Sequence, residues 1–594
     1  MQPTLSDQQL SAANFQNGIA IVIAIPGSGK TLTMTHRIAN LVMAGEIPNT
    51  IVGITLTKNA AITMKDRLNQ LLKDVAPRVI LSTIHSLCYR ILRMEGKEFT
   101  LITDSYKITL IRQILKQLKI KDLSTAHVIT EIGLAKNNLI FSEDFATCTE
   151  NLALVNIGRV YQLYEQEKDK KGLVDFEDLL VDTYQLLAIE EIRLKYQKLY
   201  KHLLIDEFQD TNPIMLEIVK KLVNGHGSLF VVGDDAQCIY SFTGASVGNI
   251  LNFNSMFPGS QEFRLTMNYR STPEILQACK NLIINNKHKI DKELITNNPA
   301  GEQVVLLDSI TEDDEAVKVV TTIKQLTAYK YQDIAILYRA NFQSRAIEEA
   351  LLINDIPYFI EGGQGFYQRK EVKVFIDYLR VIHSPLTADT ALLNIINVPN
   401  RYLGNKFKNE LNDLTLAKQL PIFQTLEIMS TWPTFESTKV TEFLELIKSI
   451  SSTLPPSEII KQLRATLDYD KVITDLDPDD SKIANIDQLI ISAARFHNAA
   501  GFLEYADQFQ KENKTDNKVR LMTIHKSKGM EFPIVFMIGL SNGIMPMAKG
   551  ELEEERRIAF VGMSRASKIL HLSWANTYNK IATSRSMFIQ EMTL

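Results

Sequence analysis

One short stretch near the start of the chain constrains the fold more than any other. The apolar run IAIVIAI (residues 19–25) leads into a glycine-rich turn and then into a helical pattern, TLTMTHRIANLV (residues 31–42). The turn follows the spacing GxxxxGK[ST], with Ala24 in the first glycine position. Between a strand and a helix, such glycines allow backbone N–H groups to face phosphate oxygens at the helix N-terminus. The stretch therefore predicts an α/β fold with a nucleotide-phosphate site.

The residues of this turn and a second, acidic motif have separate expected roles. The residues expected to hold the phosphates are Ala24, Pro26, Gly27, Ser28, Gly29, Lys30 and Thr31. Lys30 would reach the β- and γ-phosphates, and the Thr31 hydroxyl would bind Mg²⁺. The apolar run LLIDE ends in Asp206, expected to hold Mg²⁺, and in Glu207, expected to polarise the attacking water as general base. Together the two motifs predict hydrolysis of a nucleoside triphosphate.

Short apolar runs recur along the chain and are separated by helical patterns. Runs of this kind suit parallel strands buried between helices. They lie at 19–25, 51–57, 79–84, 202–207, 228–234, 303–309, 333–339, 519–524, 534–540 and 569–575. Two long stretches, 86–200 and 381–515, have apolar residues at helical spacing instead. We therefore expect two α/β sheets, one before about residue 280 and one after it, each with a helical insertion.

Composition excludes several classes of protein. Lys and Arg total 65 against 69 Asp and Glu, so any basic groove for nucleic acid must be local. The cysteines are far apart and form no CxxC pair, which disfavours a disulfide scaffold or a zinc ribbon; they are Cys88, Cys148, Cys238 and Cys279. The N-terminus does not resemble a signal peptide, and no apolar run is long enough to span a membrane. We expect no membrane partner and a cytoplasmic location, associated with the nucleoid if the source is bacterial.

The acidic motif carries a resemblance to a known family. Asp206-Glu207-Phe208-Gln209-Asp210-Thr211-Asn212 resembles the DEFQDTN box of superfamily 1A helicases, the UvrD/Rep/PcrA family. Signature stretches follow in that family's order from residue 5 to about residue 589. The resemblance implies two RecA-like, parallel-sheet P-loop domains, each with a mainly helical inserted domain. The implied segments are domain 1A at 1–85 and 196–280, insertion 1B at 86–195, domain 2A at 281–383 and 516–594, and insertion 2B at 384–515.

The resemblance implies contacts to the base and sugar of ATP. Leu5-Ser6-Asp7-Gln8-Gln9 resembles the family's Q motif, in which Gln9 would read the adenine with its amide. Tyr269, in a stretch that resembles motif IV, would stack on the adenine. Glu531 matches the motif V glutamate that would reach the sugar.

Three further residues are implied to act on the γ-phosphate. Gln237, in a stretch that resembles motif III, would sense this phosphate. Arg270 follows Tyr269 in motif IV, and Arg565 lies in a stretch that resembles motif VI. Both arginines would contact the γ-phosphate, Arg565 as an arginine finger that stabilises transition-state charge. The implied cofactors are ATP and Mg²⁺.

The family also implies a track for single-stranded DNA. The candidate contacts are Thr57, His85, Arg90, Tyr240, Phe242, Arg339, Thr523 and His525, with Arg93, Arg345 and Lys526 as further candidates. Tyr240 and Phe242 stand at the family's aromatic positions, where bases would stack. Leu56 replaces the usual phenylalanine of motif Ia, which removes one stacking platform. The implied partners are single-stranded DNA and junctions of single and double strands, and protein partners stay open.

Two departures from the family bear on function. Tyr402 replaces the first glycine of a Gly-Ile-Gly turn, and the hairpin that would separate strands is shorter, with Tyr578 as its nearest aromatic. The first reading is an ATP-dependent 3′→5′ DNA helicase or translocase. A translocase that strips proteins from single strands with little unwinding is an alternative, as is a DNA-bound assembly module switched by ATP. The pathway (DNA repair, DNA replication, phage or plasmid replication, or defence) and the oligomeric state stay open.

Overall fold

The chain folds into two compact units of mixed α/β structure. The computed structural model describes residues 5–145, 151–223, 227–431, 434–474, 481–509 and 515–593. The first unit comprises Met1–Leu306, Ser527–Leu572 and Arg585–Leu594, and the second comprises Leu307–Lys526 and Ser573–Ser584. The predicted class, parallel sheets with mainly helical insertions, is confirmed. The six segment boundaries drawn from the sequence stay a prediction.

Strands form where the sequence carries its apolar runs, and each of the ten predicted runs overlaps one. Those of the described residues are β1 (Ile19–Ala24), β2 (Ile51–Ile54), β3 (Ile80–Ser82), β4 (Thr100–Leu101), β5 (Leu173–Val174), β6 (His202–Ile205), β7 (Ser228–Gly233), β8 (Gln261–Leu265), β9 (Met267–Asn268), β10 (Ile295–Thr296), β11 (Val305–Thr311), β12 (Ile334–Tyr338), β13 (Tyr358–Ile360), β14 (Val519–Thr523), β15 (Phe532–Met537), β16 (Ala566–Tyr578) and β17 (Ile581–Ala582). β-Branched and large apolar side chains fit a sheet covered on both faces, which explains the agreement.

Helices cover the sheets and form the insertions. Those of the described residues are α1 (Asp7–Ala13), α2 (Lys30–Met43), α3 (Lys58–Leu72), α4 (Ile84–Met94), α5 (Asp104–Gln117), α6 (Thr125–Asn137), α7 (Ser142–Phe145), α8 (Leu152–Lys170), α9 (Asp178–Leu186), α10 (Glu190–Leu199), α11 (Pro213–Val223), α12 (Gly248–Leu251), α13 (Phe253–Met256), α14 (Pro273–Ile283), α15 (Glu312–Gln325), α16 (Ser344–Ile353), α17 (Lys370–His383), α18 (Asp389–Ile395), α19 (Asn405–Lys418), α20 (Ile422–Met429), α21 (Phe435–Ser449), α22 (Pro456–Thr466), α23 (Tyr469–Thr474), α24 (Ser481–Ala493), α25 (Ala499–Gln508), α26 (Leu552–Met563) and α27 (Met587–Glu591). Among them, none is both long and apolar enough to cross a membrane.

The first unit is built on a six-stranded sheet. Its order is β3-β2-β6-β7-β1-β8, and every neighbouring pair is parallel. The carboxyl ends of parallel strands share one edge, which is where ligands bind in open α/β sheets. The ends of β1, β6 and β7 lead directly into the phosphate loop, the acidic motif and motif III. The sheet therefore gathers three motifs that lie far apart in the sequence.

The sequence did not reveal the edge strand β8. Its residues, QEFRL, are polar and mostly exposed, yet the strand pairs in parallel with β1, from Ala20 opposite Gln261 to Ala24 opposite Leu265. An edge strand needs no second apolar face, so hydrophobicity alone could not identify it. β8 is nevertheless important to the site because it leads into motif IV.

The second unit joins a small parallel sheet to a large helical region. β12 and β13 each pair in parallel with β14. One apolar core runs through α17 to α25. The end of β16 and β17 form an antiparallel hairpin in which Tyr578 lies opposite Ile581. Asn579 and Lys580 between them have φ of 51° and 62°, the left-handed pair expected of a two-residue hairpin turn.

Candidate nucleotide and DNA site

The phosphate loop depends on two glycines. Gly27 and Gly29 have φ of 68° and 82°, a region that other residues adopt at a cost. A Cβ atom would lie 2.8 Å from the Asn268 amide nitrogen if placed on Gly27, and 2.5 Å from the Gln9 amide nitrogen if placed on Gly29. Sequence reasoning predicted these glycines from the motif, and the structure adds the neighbours that exclude a side chain.

Residues from the N-terminal helix and from the segment after β8 hold this loop by hydrogen bonds. The Gln9 amide donates to the Ser28 carbonyl at 2.9 Å and accepts from the Ser6 N–H at 2.9 Å. The Asn268 amide donates to the Pro26 carbonyl at 2.7 Å, and the Tyr269 N–H donates to Gly27 O at 2.9 Å. Gln9 is therefore buried beside the loop, and Tyr269 leaves its ring half exposed next to it. Their contacts to adenine stay a prediction.

Thr31 and Asp206 meet at the carboxyl edge of the sheet. The Thr31 hydroxyl donates to Asp206 Oδ2 at 2.9 Å. Burial, aided by the charge of Glu207, raises the pKa of Asp206, and the Lys30 charge only partly opposes this. A hydroxyl and a buried carboxylate are oxygen donors of the kind that Mg²⁺ prefers. The residues present therefore fit the predicted ion.

Lys30 lies between the acidic motif and motif III. Its ammonium is 3.4 Å from Glu207 Oε2 and 3.4 Å from Gln237 Oε1. Burial tends to raise the pKa of Glu207, but the charges of Lys30 and Lys528 outweigh it and lower that pKa. Glu207 is thus held as a carboxylate, the form that a general base requires.

The backbone of Glu207 is itself unusual. Its φ of 55° and ψ of 44° put a non-glycine residue in the left-handed region, which is typical of strained functional positions. The Gln209 amide donates to the Glu207 carboxylate and accepts from the Asp234 N–H at 2.9 Å. Gln237 in turn donates to Asp234 Oδ2 at 2.7 Å. Glutamine and aspartate side chains thus link the acidic motif to motif III.

The two predicted arginines lie close together but differ in their partners. Arg270 donates from Nε to Glu531 Oε2 at 2.9 Å and from Nη1 to the Ser564 carbonyl at 3.0 Å. Arg270 directly follows Tyr269, whose N–H is bonded to Gly27 of the phosphate loop, so Arg270 lies directly beside that loop. Glu531 is largely exposed at the rim of this pair.

Arg565 is almost wholly buried and bonds mainly to neutral oxygens. Its guanidinium donates to the Val561 carbonyl at 2.9 Å, the Met530 carbonyl at 3.2 Å and the Ser564 hydroxyl at 2.9 Å. Burial and the nearby charge of Arg270 lower the pKa of Arg565 to about 9. The charge of Glu207 acts on it in the opposite direction, which places Arg565 within electrostatic reach of the nucleotide residues.

Lys528 is a site residue that the motif search did not single out. Its ammonium contacts Asp210 Oδ2 at 2.5 Å and the Gln237 carbonyl at 2.6 Å, and it lies 3.8 Å from Glu207 Oε2. It also lies 5.1 Å from the centre of the Tyr240 ring. Burial works against its charge, but the carboxylates raise the pKa of Lys528. Lys528 lies in the stretch HKSKGMEF (residues 525–532), but nothing in that stretch predicted its contact with Asp210.

The aromatic pair after motif III points partly to solvent. The Tyr240 and Phe242 rings are 5.8 Å apart in an edge-to-face arrangement, and Phe242 is 61% exposed. Asn137, from the first helical insertion, donates to the Thr243 carbonyl at 3.0 Å and fixes the following turn. An exposed aromatic ring on an anchored loop suits stacking with a base.

A second exposed aromatic lies beside His85. The His85 ring stacks on Phe176, with centroids 4.1 Å apart, and Phe176 is 56% exposed. Burial lowers the pKa of His85 to about 4, so the ring is neutral at pH 7. Arg90 is exposed one turn along the same helix, and the Thr57 hydroxyl caps α3 by accepting the Ala60 N–H at 3.2 Å. The sequence gave no reason to select Phe176.

The predicted DNA-contact residues of the second unit differ in how deeply they are buried. Thr523 ends β14, and His525 follows it; both are partly buried, as is Arg339 after β12. Arg345 is wholly buried and ion-paired with Asp313 at 2.7 Å and Glu349 at 2.8 Å. The interpretation of Arg345 as part of a strand track is therefore wrong, since a buried, paired arginine cannot reach DNA.

The structure shows the conformation and the exposure of the two residues, Tyr402 and Tyr578, at which the sequence departs from the family. Tyr402 has φ of 65° and is 71% exposed, so the turn keeps the left-handed geometry without glycine. Asn400 stabilises it by accepting the Tyr402 N–H at 3.0 Å. Tyr578 is buried, and its hydroxyl donates to Glu315. Tyr578 therefore packs inside the second unit and is not an exposed hairpin tip.

Comparisons with known proteins agree with these motifs. Residues 5–258 match the model of the UvrD/REP helicase N-terminal domain, and residues 263–577 match that of the UvrD-like helicase C-terminal domain. The chain is 33% identical to the ATP-dependent DNA helicase PcrA of Leuconostoc citreum, over 99% of this chain and 85% of that protein. It is also 33% identical to proteins of the same name from Staphylococcus epidermidis RP62A, over 98% of this chain and 85% of that protein, and Staphylococcus aureus Mu50, over 98% and 84%.

Proposed function

This chain belongs to the UvrD/Rep helicase family, and from that premise we propose that it is an ATP-dependent DNA helicase that moves 3′→5′ on single-stranded DNA. The convergence of Lys30, Glu207 and Gln237 within one unit carries the proposal. These three side chains surround a place where a lysine, a carboxylate and an amide can all reach a γ-phosphate. The polarity follows the family resemblance.

The chain's own residues divide the work of hydrolysis. Lys30 neutralises charge on the β- and γ-phosphates, and the Gly27–Gly29 backbone follows the phosphate chain. Thr31 and Asp206 would hold Mg²⁺, which supplies charge neutralisation between the phosphates when bound. Glu207, held as a carboxylate, accepts a proton from the attacking water. Gln237 would contact the γ-phosphate, so that its presence is felt by the rest of motif III through Asp234.

The arginines would complete the site when nucleotide binds. Arg270 already stands beside the phosphate loop, whereas Arg565 bonds to carbonyl and hydroxyl oxygens. A neutral oxygen is a weaker partner for guanidinium than a phosphate oxygen. A γ-phosphate would therefore draw Arg565 out of these bonds, and that exchange is where ATP binding would do mechanical work.

Lys528 offers a direct route from nucleotide to DNA. It contacts Asp210 and the Gln237 carbonyl on one side and the Tyr240 ring on the other. Loss of the γ-phosphate changes the charge that Gln237 and Glu207 face. Through Lys528 the same change reaches the aromatic pair on which a base would stack.

Single-stranded DNA and its junctions with duplex are the proposed partners. Phe242 and Phe176 are exposed rings that can stack with bases of any sequence. The neutral His85 ring adds stacking rather than charge, so phosphate attraction falls to exposed groups such as Arg90. We expect binding that tolerates any base sequence and weakens as salt concentration rises.

A translocase with little unwinding is the second candidate. The buried Tyr578 and the two-residue turn at Asn579–Lys580 favour it, because they leave no aromatic wedge at that tip. Such a motor would move along a strand and displace bound proteins without splitting base pairs efficiently.

Duplexes with a 3′ or a 5′ tail separate these functions. We expect ATP-dependent strand displacement with the 3′ tail only, and none by Lys30→Ala. Streptavidin displaced from a biotinylated single strand without duplex unwinding would identify the translocase. ATP turnover with neither displacement would identify a switched assembly module, and preference for the 5′ tail would overturn the polarity.

A further inference from the structure

A buried lysine outside every motif reaches the centre of the nucleotide site. Lys292 follows α14 in a segment with no motif resemblance, and its side chain is only 6% exposed. Its ammonium pairs with the carboxylates of Asp234 and Asp235, both fully buried. It also lies 3.5 Å from the Ala24 carbonyl, where the phosphate loop begins.

The lysine is the first member of a chain of contacts that ends at the phosphate site. Lys292 holds Asp234, whose second carboxylate oxygen accepts the Gln237 amide at 2.7 Å. The other end of that amide, Gln237 Oε1, faces Lys30 at 3.4 Å. The contact to Asp234 therefore decides which end of the Gln237 amide faces the nucleotide.

The backbone around Lys292 is fixed on both sides. The Ile290 N–H donates to Asp235 Oδ2 at 3.0 Å, and the Ile295 N–H donates to the Thr266 carbonyl at 3.1 Å. β10, which begins at Ile295, pairs with β9 directly before Tyr269 and Arg270. The segment is thus a strap between motif III and motif IV, with Lys292 pointing inward from its middle.

We propose that Lys292 is a positioning residue for Gln237 in ATP hydrolysis. The proposal rests on the ATP-dependent activity proposed above. Two adjacent buried carboxylates repel each other, and the Lys292 ammonium that contacts both offsets this repulsion. With Lys292 in place, Asp234 accepts a hydrogen bond from the Gln237 amide nitrogen. The amide oxygen of Gln237 then faces Lys30. Without it, Asp234 Oδ1 keeps the Ala236 N–H at 3.1 Å but loses its charged partner, so the carboxylate is held less firmly and the Gln237 amide can swing or flip.

The test is a double-mutant cycle on DNA-stimulated ATP hydrolysis. Lys292→Met should lower kcat by about the same factor as Gln237→Ala, roughly tenfold or more, with the ATP KM changed less than about twofold. In the Gln237→Ala background, Lys292→Met should cause almost no further loss, because the residue it positions is already gone. Lys292→Arg should restore most of kcat.

A neighbour on the same strap provides the matched control. Lys289 donates to the carbonyls of Ile284 and Asn286, two residues that lie outside motif III. Lys289→Met should leave kcat and KM at wild-type values. If Lys292→Met does not fold, Lys292→Met with Asp235→Asn removes one charge of each sign and should show the same loss of kcat and the same non-additivity with Gln237→Ala.

The possible results distinguish a failure of the positioning role of Lys292 from a failure of the proposed ATP-dependent activity. Absence of ATP hydrolysis in the wild-type chain would overturn the proposed activity itself. An active wild type in which the Lys292 and Gln237 losses add fully, or in which Lys292→Met raises KM with kcat intact, would overturn the positioning role alone. Equal losses from Lys289→Met would assign the effect to the strap's packing.

Discussion

Two clusters of buried charge lie in the first unit and differ in how fully their charges are paired. In the first helical insertion, the Lys136 ammonium contacts Glu165, Asp175 and Asp178 at 2.9, 2.7 and 2.6 Å. Lys168 contacts the same three carboxylates from the other side. The carboxylates could together hold a cation, and the two ammonium groups take that place.

The nucleotide cluster has similar residues, and although Lys528 pairs with Asp210 at 2.5 Å, the contacts of Lys30 are longer. Lys30 stands 3.4 Å from each of its two partners, and the pKa of Asp206 is raised by burial and by Glu207. Arg565 is buried with carbonyl and hydroxyl oxygens as its hydrogen-bond acceptors. In the insertion, the ammonium groups outweigh burial and hold the pKa of Asp175 well below its usual range, whereas burial raises the pKa of Glu165.

The difference separates a structural cluster from a functional one. Buried ions stabilise a fold only when their partners are all present, because removal of one partner leaves a desolvated charge. The insertion cluster has its partners within the chain. Under the proposed function, the partners of the nucleotide cluster would arrive with the ligand, phosphates for the cations and a metal ion for Asp206.

The largest effect is expected from Lys30→Ala. It should lower DNA-stimulated ATP hydrolysis by about 10³-fold or more, because transition-state charge loses its nearest cation. The free energy of unfolding should fall by less than the roughly 3–5 kcal/mol typical of a broken buried ion pair, because Lys528 still lies 3.8 Å from Glu207. Steady-state kinetics and urea unfolding measure the two. Single-strand binding should persist, and the surface variant Lys220→Ala should change neither; wild-type turnover by Lys30→Ala would refute the site.

Lys136→Met should have the opposite profile. The change removes one of the two ammonium groups that pair with the buried carboxylates of Glu165, Asp175 and Asp178. We therefore expect the free energy of unfolding to fall by about 3–5 kcal/mol. ATP turnover per folded molecule should stay unchanged. Lys170→Met, which breaks an exposed pair with Glu167, should cost less than about 1 kcal/mol. A loss of turnover at full stability would mean that the insertion cluster is not merely structural.

Nucleotide should stabilise the protein through the incompletely paired cluster. At a hundredfold excess over Kd, a non-hydrolysable ATP analogue with Mg²⁺ should add about 2.7 kcal/mol to the free energy of unfolding. The gain should shrink strongly in Lys30→Ala and stay intact in Lys170→Met. Thermal unfolding with and without the analogue measures it, and an equal gain in Lys30→Ala would contradict the assignment of Lys30 to the phosphates.

The smallest effect concerns Asp182, beside the insertion cluster. Burial, together with the charge of Asp178, raises the pKa of Asp182 to about 6. A carboxyl whose folded pKa lies above its unfolded pKa opposes folding once it ionises, so Asp182→Asn should raise the free energy of unfolding above pH 6, by less than about 3 kcal/mol. The gain should vanish below about pH 4, where both states are protonated. Unfolding curves across this range test it, and the exposed Asp169→Asn should show no such trend.

Much of the fold and the nucleotide site could be predicted because local chemistry dictates them. Gly27, Gly29 and Lys30 form a recognisable unit within the eight residues from Ala24 to Thr31, between a strand and a helix. The edge strand β8 could not be predicted, since its exposed residues carry no apolar pattern. Arg345 matched a motif by its neighbours, but it is buried and paired with Asp313, 32 residues away in the sequence, as well as with Glu349.

The residues that the sequence missed share one property. Lys292, Lys528 and Phe176 have no local signature, and each acts through a contact with residues far away in the chain. Such contacts depend on which strand ends and straps the fold brings together.

The sequence by itself determined the motifs, the parallel α/β class and the chemistry available to bind a nucleotide, because these follow from short-range patterns of glycine, charge and apolar residues. Only the tertiary structure decided which charges are paired, which aromatic rings are exposed and which lysines lie between the motifs. The reason is physical: burial and desolvation depend on every neighbour in space, and most of those neighbours are distant in sequence.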